Sequence, residues 1–256
     1  MTKVVFVMID GLRPDALDHA SLPGLRSLLD RGAYSLRASS VMPSMTLPCH
    51  MSIFHSVPPS RHGILSNEYA PQVRPIRGLV EHLNSAGKQS AFFTNWEELR
   101  DLSRPSNLQM SWYANESYNL PMGDELVTDA ALPYLSRGAF DFTFVYLGTV
   151  DTSGHAFGWM SAEYLQQAER VDKQLVRIID ALPADTAIIC HADHGGHERT
   201  HGTEMPEDMT IPWVCAGASI AAREITESVS LLDTAPTASA LLGVPPWKEW
   251  EGRSVV

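Results

Sequence analysis

Three aspartates each stand just past a hydrophobic, strand-like run. Asp10 follows Val4-Val5-Phe6-Val7-Met8-Ile9, Asp151 follows the run that begins at Phe142, and Asp193 follows Ala187-Ile188-Ile189-Cys190-His191-Ala192. Histidines come close behind two of them: His155 four residues past Asp151, and His194 directly after Asp193, with His201 seven further on. Thr46, within Pro43-Ser44-Met45-Thr46-Leu47-Pro48, adds a hydroxyl. Three carboxylates, three imidazoles and one hydroxyl suit two divalent cations and an activated nucleophile. The chemistry implied is metal-assisted phosphoryl transfer. Spacing alone leaves the third imidazole open, because His197 lies between His194 and His201.

Each of these residues also has an ordinary explanation. Asp10-Gly11 is a common turn pair, and Thr46 could simply cap a helix, a role worth about 1 kcal/mol. If Thr46 opens a helix, the free N–H groups and dipole there also favour an alkoxide or a phosphate oxygen. Asp151-Thr152-Ser153-Gly154-His155 is sharper, since its glycine would let a loop fold back until both side chains reach one ion. Asp193-His194-Gly195-Gly196 repeats that logic with adjacent ligands. Three such motifs at strand ends in one chain are poorly explained by coincidence.

The elements that must position them alternate between strand and helix. Ser21 is expected to cap a helix whose stripe is Leu22, Leu25, Leu28 and Leu29. A second helix is expected from Thr46 through His55, a third over 78–86 ended by Gly87, and others over 124–135, 161–182 and 233–242. Strands are expected over 4–9, 89–94, 140–147, 187–190 and 211–216. This alternation implies an α/β fold: a mostly parallel sheet with helices on both faces. Ligands then bind outside the carboxyl ends of the strands, where Asp10, Asp151 and Asp193 all fall. One catalytic domain over 1–256 is expected, with a small cap within 63–122, the least periodic stretch.

Composition sets limits. At 256 residues, with 44% hydrophobic and 19% charged residues, the chain is ordinary for one globular domain. The net charge of −11 argues against a nucleic acid polymer as partner but not against a small phosphate ester, because bound cations would reverse the local field. No apolar run reaches the roughly 18 residues of a membrane span. A strand starting at once after Met1 leaves no room for a signal peptide. Cys49, Cys190 and Cys215 lack paired spacing, so reduced thiols and a cytoplasmic location are expected.

The motifs Ile9-Asp10-Gly11-Leu12-Arg13-Pro14-Asp15, Pro43-Ser44-Met45-Thr46-Leu47-Pro48-Cys49-His50, His62-Gly63-Ile64-Leu65-Ser66-Asn67, Asp151-Thr152-Ser153-Gly154-His155, Asp193-His194-Gly195 and His201-Gly202 occur in this order. Together they resemble the alkaline phosphatase superfamily and, within it, the nucleotide pyrophosphatase/phosphodiesterase branch. The resemblance implies two zinc ions, one held by Asp151, His155 and His201, the other by Asp10, Asp193, His194 and the Thr46 hydroxyl. It selects His201 over His197. It also gives Asn67, otherwise a plausible turn residue, a hydrogen bond to a non-bridging phosphate oxygen.

Two divalent cations against three aspartates leave about one net positive charge, which suits a mono-anionic diester. The implied activity is hydrolysis of a small phosphate ester or pyrophosphate with Thr46 as nucleophile. A phosphomonoesterase and a phosphonoacetate-type carbon–phosphorus hydrolase share the layout and are the alternatives. A non-catalytic metal-binding module would have no need of Thr46. The chain lacks the long insertions that shape substrate pockets in the family, so Trp96, Trp112 and Tyr113 are the candidates for stacking on a flat leaving group.

Overall fold

The structure is a computed structural model that describes residues 2–72 and 74–256. Eight strands form one sheet: β1 (Lys3–Ile9), β2 (Gly32–Ser39), β3 (Ser90–Thr94), β4 (Met110–Tyr113), β5 (Phe142–Leu147), β6 (Thr186–His191), β7 (Thr210–Ala216) and β8 (Arg223–Glu224). Their spatial order is β4-β3-β5-β1-β6-β7-β2-β8. All run parallel except β7, which is antiparallel to both β6 and β2. This is an alkaline phosphatase-like α/β sheet.

The central strands read as continuous apolar runs because both faces are covered. Every residue of β3, β5 and β6 is buried. On one face, helices Pro23–Arg31, Gly123–Leu135 and Thr149–Phe157 each pack on the long helix Ala162–Ala181. Helices Thr46–His55, Leu79–Ser85 and Thr234–Leu241 pack on one another as the second group. Phe54 of the first of these meets Phe144 at 5.0 Å and Phe92 at 5.3 Å, edge to face, while Phe6 stacks on Phe144 at 5.2 Å.

Register brings the aspartates together. Ile9 pairs with Leu147 and Met8 with His191, so Asp10 emerges level with the ends of β5 and β6. The Asp10 N–H still donates to Leu147 O at 3.0 Å.

Several expectations change. Ser21 is not the cap of helix Pro23–Arg31. The carboxylate of Asp172 does that work from the neighbouring long helix, accepting from Gly24 N at 2.7 Å and Leu25 N at 2.8 Å. Within 63–122 the chain supplies β3, β4 and helix Leu79–Ser85 to the main fold, and Asn67, Trp96, Ser117 and Tyr118 from the connections between them stand at the rim. The strand expected over 140–147 begins at Phe142, and the chain from Thr149 onward is a helix, not a loop.

Candidate functional site

Asp10 ends β1 and Gly11 turns the chain with φ +72. A Cβ on Gly11 would stand 2.9 Å from the Asp151 Cα. The end of β1 and the first turn of helix Thr149–Phe157 therefore approach closely only because residue 11 is glycine. Asp151 and His155 lie four apart on that helix, on one face, with His155 Nε2 3.5 Å from Asp151 Oδ2. The loop-folding role expected of Gly154 is thus replaced by another. Its missing side chain makes room for the Trp159 indole, which a Cβ would meet at 2.6 Å.

Thr46 is the first residue of helix Thr46–His55. Its hydroxyl is 3.3 Å from His194 Nε2, and His194 Nε2 is 3.3 Å from Asp10 Oδ1 and 3.5 Å from Asp193 Oδ2. His201 Nε2 is 3.5 Å from Asp151 Oδ1. Ligand atoms of Asp151, His155 and His201 lie within 4.8 Å of one another, and so do those of Asp10, Asp151 and His194. The structure brings Asp10, Thr46, Asp151, His155, Asp193, His194 and His201 into one cluster. His197 is turned away, its Nδ1 2.7 Å from buried Asp208.

The ring orientations are set by backbone. Nδ1 of His155 faces Arg199 O at 3.0 Å, Nδ1 of His194 faces Gly195 O at 2.8 Å, and Nδ1 of His201 faces Ser44 O at 2.8 Å. A carbonyl oxygen only accepts, so each Nδ1 carries the proton and each Nε2 presents a lone pair to the cluster. Those lone pairs face carboxylate oxygens 3.3 to 3.5 Å away. Asp10 Oδ1, Asp151 Oδ1 and Asp193 Oδ2 are buried with no hydrogen-bond partner among the described residues. Lone pairs opposed at that distance are repulsive unless a proton or a cation lies between them. Two N/O donor sets sharing Asp151 at their boundary fit divalent ions of the zinc type.

The electrostatics agree. Burial, then the neighbouring carboxylates Asp193 and Asp151, push Asp10 well above the ordinary carboxylate range. Burial raises Asp151 and takes Asp193 up to about 7. Burial, reinforced by His194, lowers His201 to about 2, which keeps that ring neutral.

Beside the cluster opens a cavity of about 400 Å³, lined by Thr46, Asn67, Trp96, Ser117, Tyr118 and Tyr146 together with Asp10, Asp151, His155 and His201. Asn67 Oδ1 accepts from Leu47 N at 3.0 Å. That contact leaves the Asn67 amide N–H groups free for other acceptors. Of the aromatic candidates only Trp96 lines the cavity, whereas Trp112 and Tyr113 belong to edge strand β4. Arg13 is occupied by Asp15 and Gly196 O.

Two neighbours of the site escaped sequence reasoning. The Tyr146 hydroxyl donates to Asp10 Oδ2, and Trp159 packs against the cluster. Tyr146 sits inside an apolar strand run and reads as core. Its position five residues before Asp151 was the only available signal.

Known proteins resemble this chain in sequence and in fold. A family model described as type I phosphodiesterase / nucleotide pyrophosphatase matches residues 4–206. The chain is 32% identical over 135 residues to 2,3-bisphosphoglycerate-independent phosphoglycerate mutase 2 of Methanosarcina acetivorans, covering 51% of this chain and 26% of that one. It is 26% identical over 219 residues to an uncharacterized pyrophosphatase/phosphodiesterase of Schizosaccharomyces pombe, covering 76% and 44%. The chain thus spans less than half the length of these curated relatives. Murine ectonucleotide pyrophosphatase / phosphodiesterase 5, solved as an inactive threonine-to-alanine variant in complex with AMP, superposes with a TM-score of 0.80 at 14% identity. That match covers 95% of this chain and 96% of that one, a likeness of fold. With most of its length matched by the family model and its fold shared, the chain belongs to the type I phosphodiesterase / nucleotide pyrophosphatase family of the alkaline phosphatase superfamily.

Proposed function

We propose that the chain is a two-metal phosphodiesterase or pyrophosphatase that uses Thr46 as nucleophile on small phosphate esters. The observation that carries this reading is the facing of the His194 and His201 Nε2 lone pairs by Asp10 Oδ1, Asp193 Oδ2 and Asp151 Oδ1, buried oxygens without a hydrogen-bond partner among the described residues, with His155 Nε2 beside the other Asp151 oxygen. Asp151, His155 and His201 would hold one ion; Asp10, Asp193, His194 and the Thr46 hydroxyl would hold the other. Bound there, zinc ions supply positive charge that favours an ionised hydroxyl and an anionic phosphate.

The chain's own residues do the rest. Thr46 Oγ1 attacks phosphorus, an O–P bond forms, the bond to the leaving-group oxygen breaks, and the hydroxyl proton passes through solvent to that oxygen. Water then attacks the phosphothreonine, restoring the hydroxyl and releasing the phosphoryl product. Asn67, with Oδ1 held by Leu47 N, directs its amide hydrogens to a non-bridging oxygen. Among the described residues no lysine or arginine lines the cavity, which favours a diester mono-anion over a monoester dianion. The murine neighbour's inactive threonine-to-alanine form is in keeping with a threonine nucleophile.

The test is a metal analysis joined to a hydrolysis screen. Zinc at about two per chain, and a nitrophenyl phosphodiester cleaved with higher kcat/KM than the matching monoester, are expected. Asn67→Ala should cost about 2–4 kcal/mol in transition-state stabilisation. A monoester preference of tenfold or more would make the protein a phosphatase. Cleavage of phosphonoacetate alone would make it a carbon–phosphorus hydrolase.

A further inference from the structure

Trp159 lies outside every motif that carries the proposed chemistry, yet it touches the segments that hold Asp10, His155, His194 and His201. Its Nε1–H donates to Gly11 O at 2.9 Å, a carbonyl that also accepts from the Tyr164 hydroxyl at 2.9 Å. Gly11 directly follows Asp10. The ring stands edge-on to His155 at 5.0 Å and to His201 at 5.8 Å. Two glycines from different segments face it. A Cβ on Gly154 would come within 2.6 Å of the indole and one on Gly196 within 2.3 Å. The Trp159 backbone N–H donates to Glu198 O at 2.7 Å, next to Arg199, whose carbonyl orients His155.

From this we infer that Trp159 is the positioning residue of the metal centre. The inference rests on the two-metal reading above. An indole is a flat, stiff plate with a single donor. Slotted between Gly154 and Gly196, it sets the separation of the helix bearing Asp151 and His155 from the loop bearing His194. Its edge limits the rotation of His155 and His201, and its N–H fixes the turn that aims Asp10. A smaller apolar residue would fill the core while leaving all three settings loose. Partners of this kind change metal affinity about 10–100-fold when removed.

Zinc titration against a chromogenic chelator, on wild type, Trp159→Phe, Trp159→Ala and Gly154→Ala, tests this. Melting in chelator is recorded in parallel, to measure the fold without metal. Trp159→Phe should weaken zinc binding about tenfold and Trp159→Ala about a hundredfold, mainly at the Asp151, His155 and His201 position. Gly154→Ala, which removes no ligand and no donor, should also weaken it. Zinc should change the intrinsic fluorescence of wild type, and that change should vanish in Trp159→Phe. Should Trp159→Ala not fold, the Phe and Gly154 variants still decide the matter. Wild-type zinc affinity in both of those would overturn the inference while leaving the two-metal reading intact. A wild-type chain that takes up no zinc would overturn both.

Discussion

Buried carboxylates occur in two kinds of place in this molecule, and they are treated in opposite ways. Asp124, Asp172, Asp208 and Asp233 are nearly inaccessible, and both oxygens of each accept hydrogen bonds. Asp124 takes Asn95 Nδ2, Gly148 N, Thr149 N and the Thr149 hydroxyl; Asp172 takes two backbone N–H groups. Asp208 takes His197 and Thr203, and Asp233 takes Ser230 N and Arg253 N. At the carboxyl ends of the central strands, Asp10, Asp151 and Asp193 each keep one oxygen without a partner. An unpaired buried acceptor costs about 1–3 kcal/mol, and three together face one another. Burial alone therefore does not separate these two groups of aspartates, whereas an unfilled lone pair does.

The strongest way to break this contrast is to remove the metal. Exhaustive chelation should abolish turnover, while circular dichroism shows the fold intact, because the four satisfied carboxylates hold their helices and loops without it. A chain that unfolds on chelation would mean that the rim carboxylates are structural too. Thr46→Ala comes next. Turnover should fall on the order of a thousand-fold or more with zinc content near wild type, whereas Ser44→Ala, whose hydroxyl bonds Thr203 O, should be mild.

A direct exchange is smaller in size and sharper. Asp172→Ala should lower stability by about 1–3 kcal/mol and leave zinc affinity alone. Asp151→Asn should empty a metal position, yet leave the chelated protein as stable as wild type or more so, since one of three mutually repelling groups is gone.

The smallest effect is in pH. Asp193, raised by burial from 3.8 to about 7, contributes stability to the metal-free fold that is complete at low pH and is lost as pH rises through about 7. His50 and His191, lowered by burial to about 3, act in the opposite sense and are present with or without metal. The difference in Tm between zinc-loaded and metal-free protein cancels them. That difference should grow from about pH 5 to about pH 7, and a flat difference would count against protonated rim carboxylates.

What could be read from the residues follows the same division. β1, β5 and β6 were legible because strands covered on both faces are apolar throughout. Helix Ala162–Ala181 was legible because Ser161 caps it and one face is apolar. β2 was missed because Gly32, Ser35 and Arg37 break its pattern, and β4 because an edge strand with alternate residues exposed resembles its polar surroundings. Helix Thr149–Phe157 reads as a loop in sequence because Thr149, Val150, Thr152 and Gly154 are weak helix formers; packing against the long helix overrides them. Thr46, the three aspartates and the three histidines stood out by type and order. Tyr146 and Trp159 did not, since Tyr146 acts on Asp10, 136 positions away, and Trp159 joins Gly11, 148 positions away, to contacts in two other segments.

Strand order also decides which part of the molecule loosens first under heat or denaturant. β4, with four residues, and β8, with two, are the sheet's edges, and amides there exchange with solvent through local opening. Amides of β1 and its neighbours β5 and β6 exchange only when the whole domain unfolds. Trp96 and Ser117, which wall the cavity, follow β3 and β4, while Asp10, Asp151 and Asp193 follow the interior strands. If the site acts as proposed, warming should loosen the cavity wall at Trp96 and Ser117 before it disturbs the cluster of Asp10, Asp151 and Asp193, so that hydrolysis should become less selective shortly before it is lost.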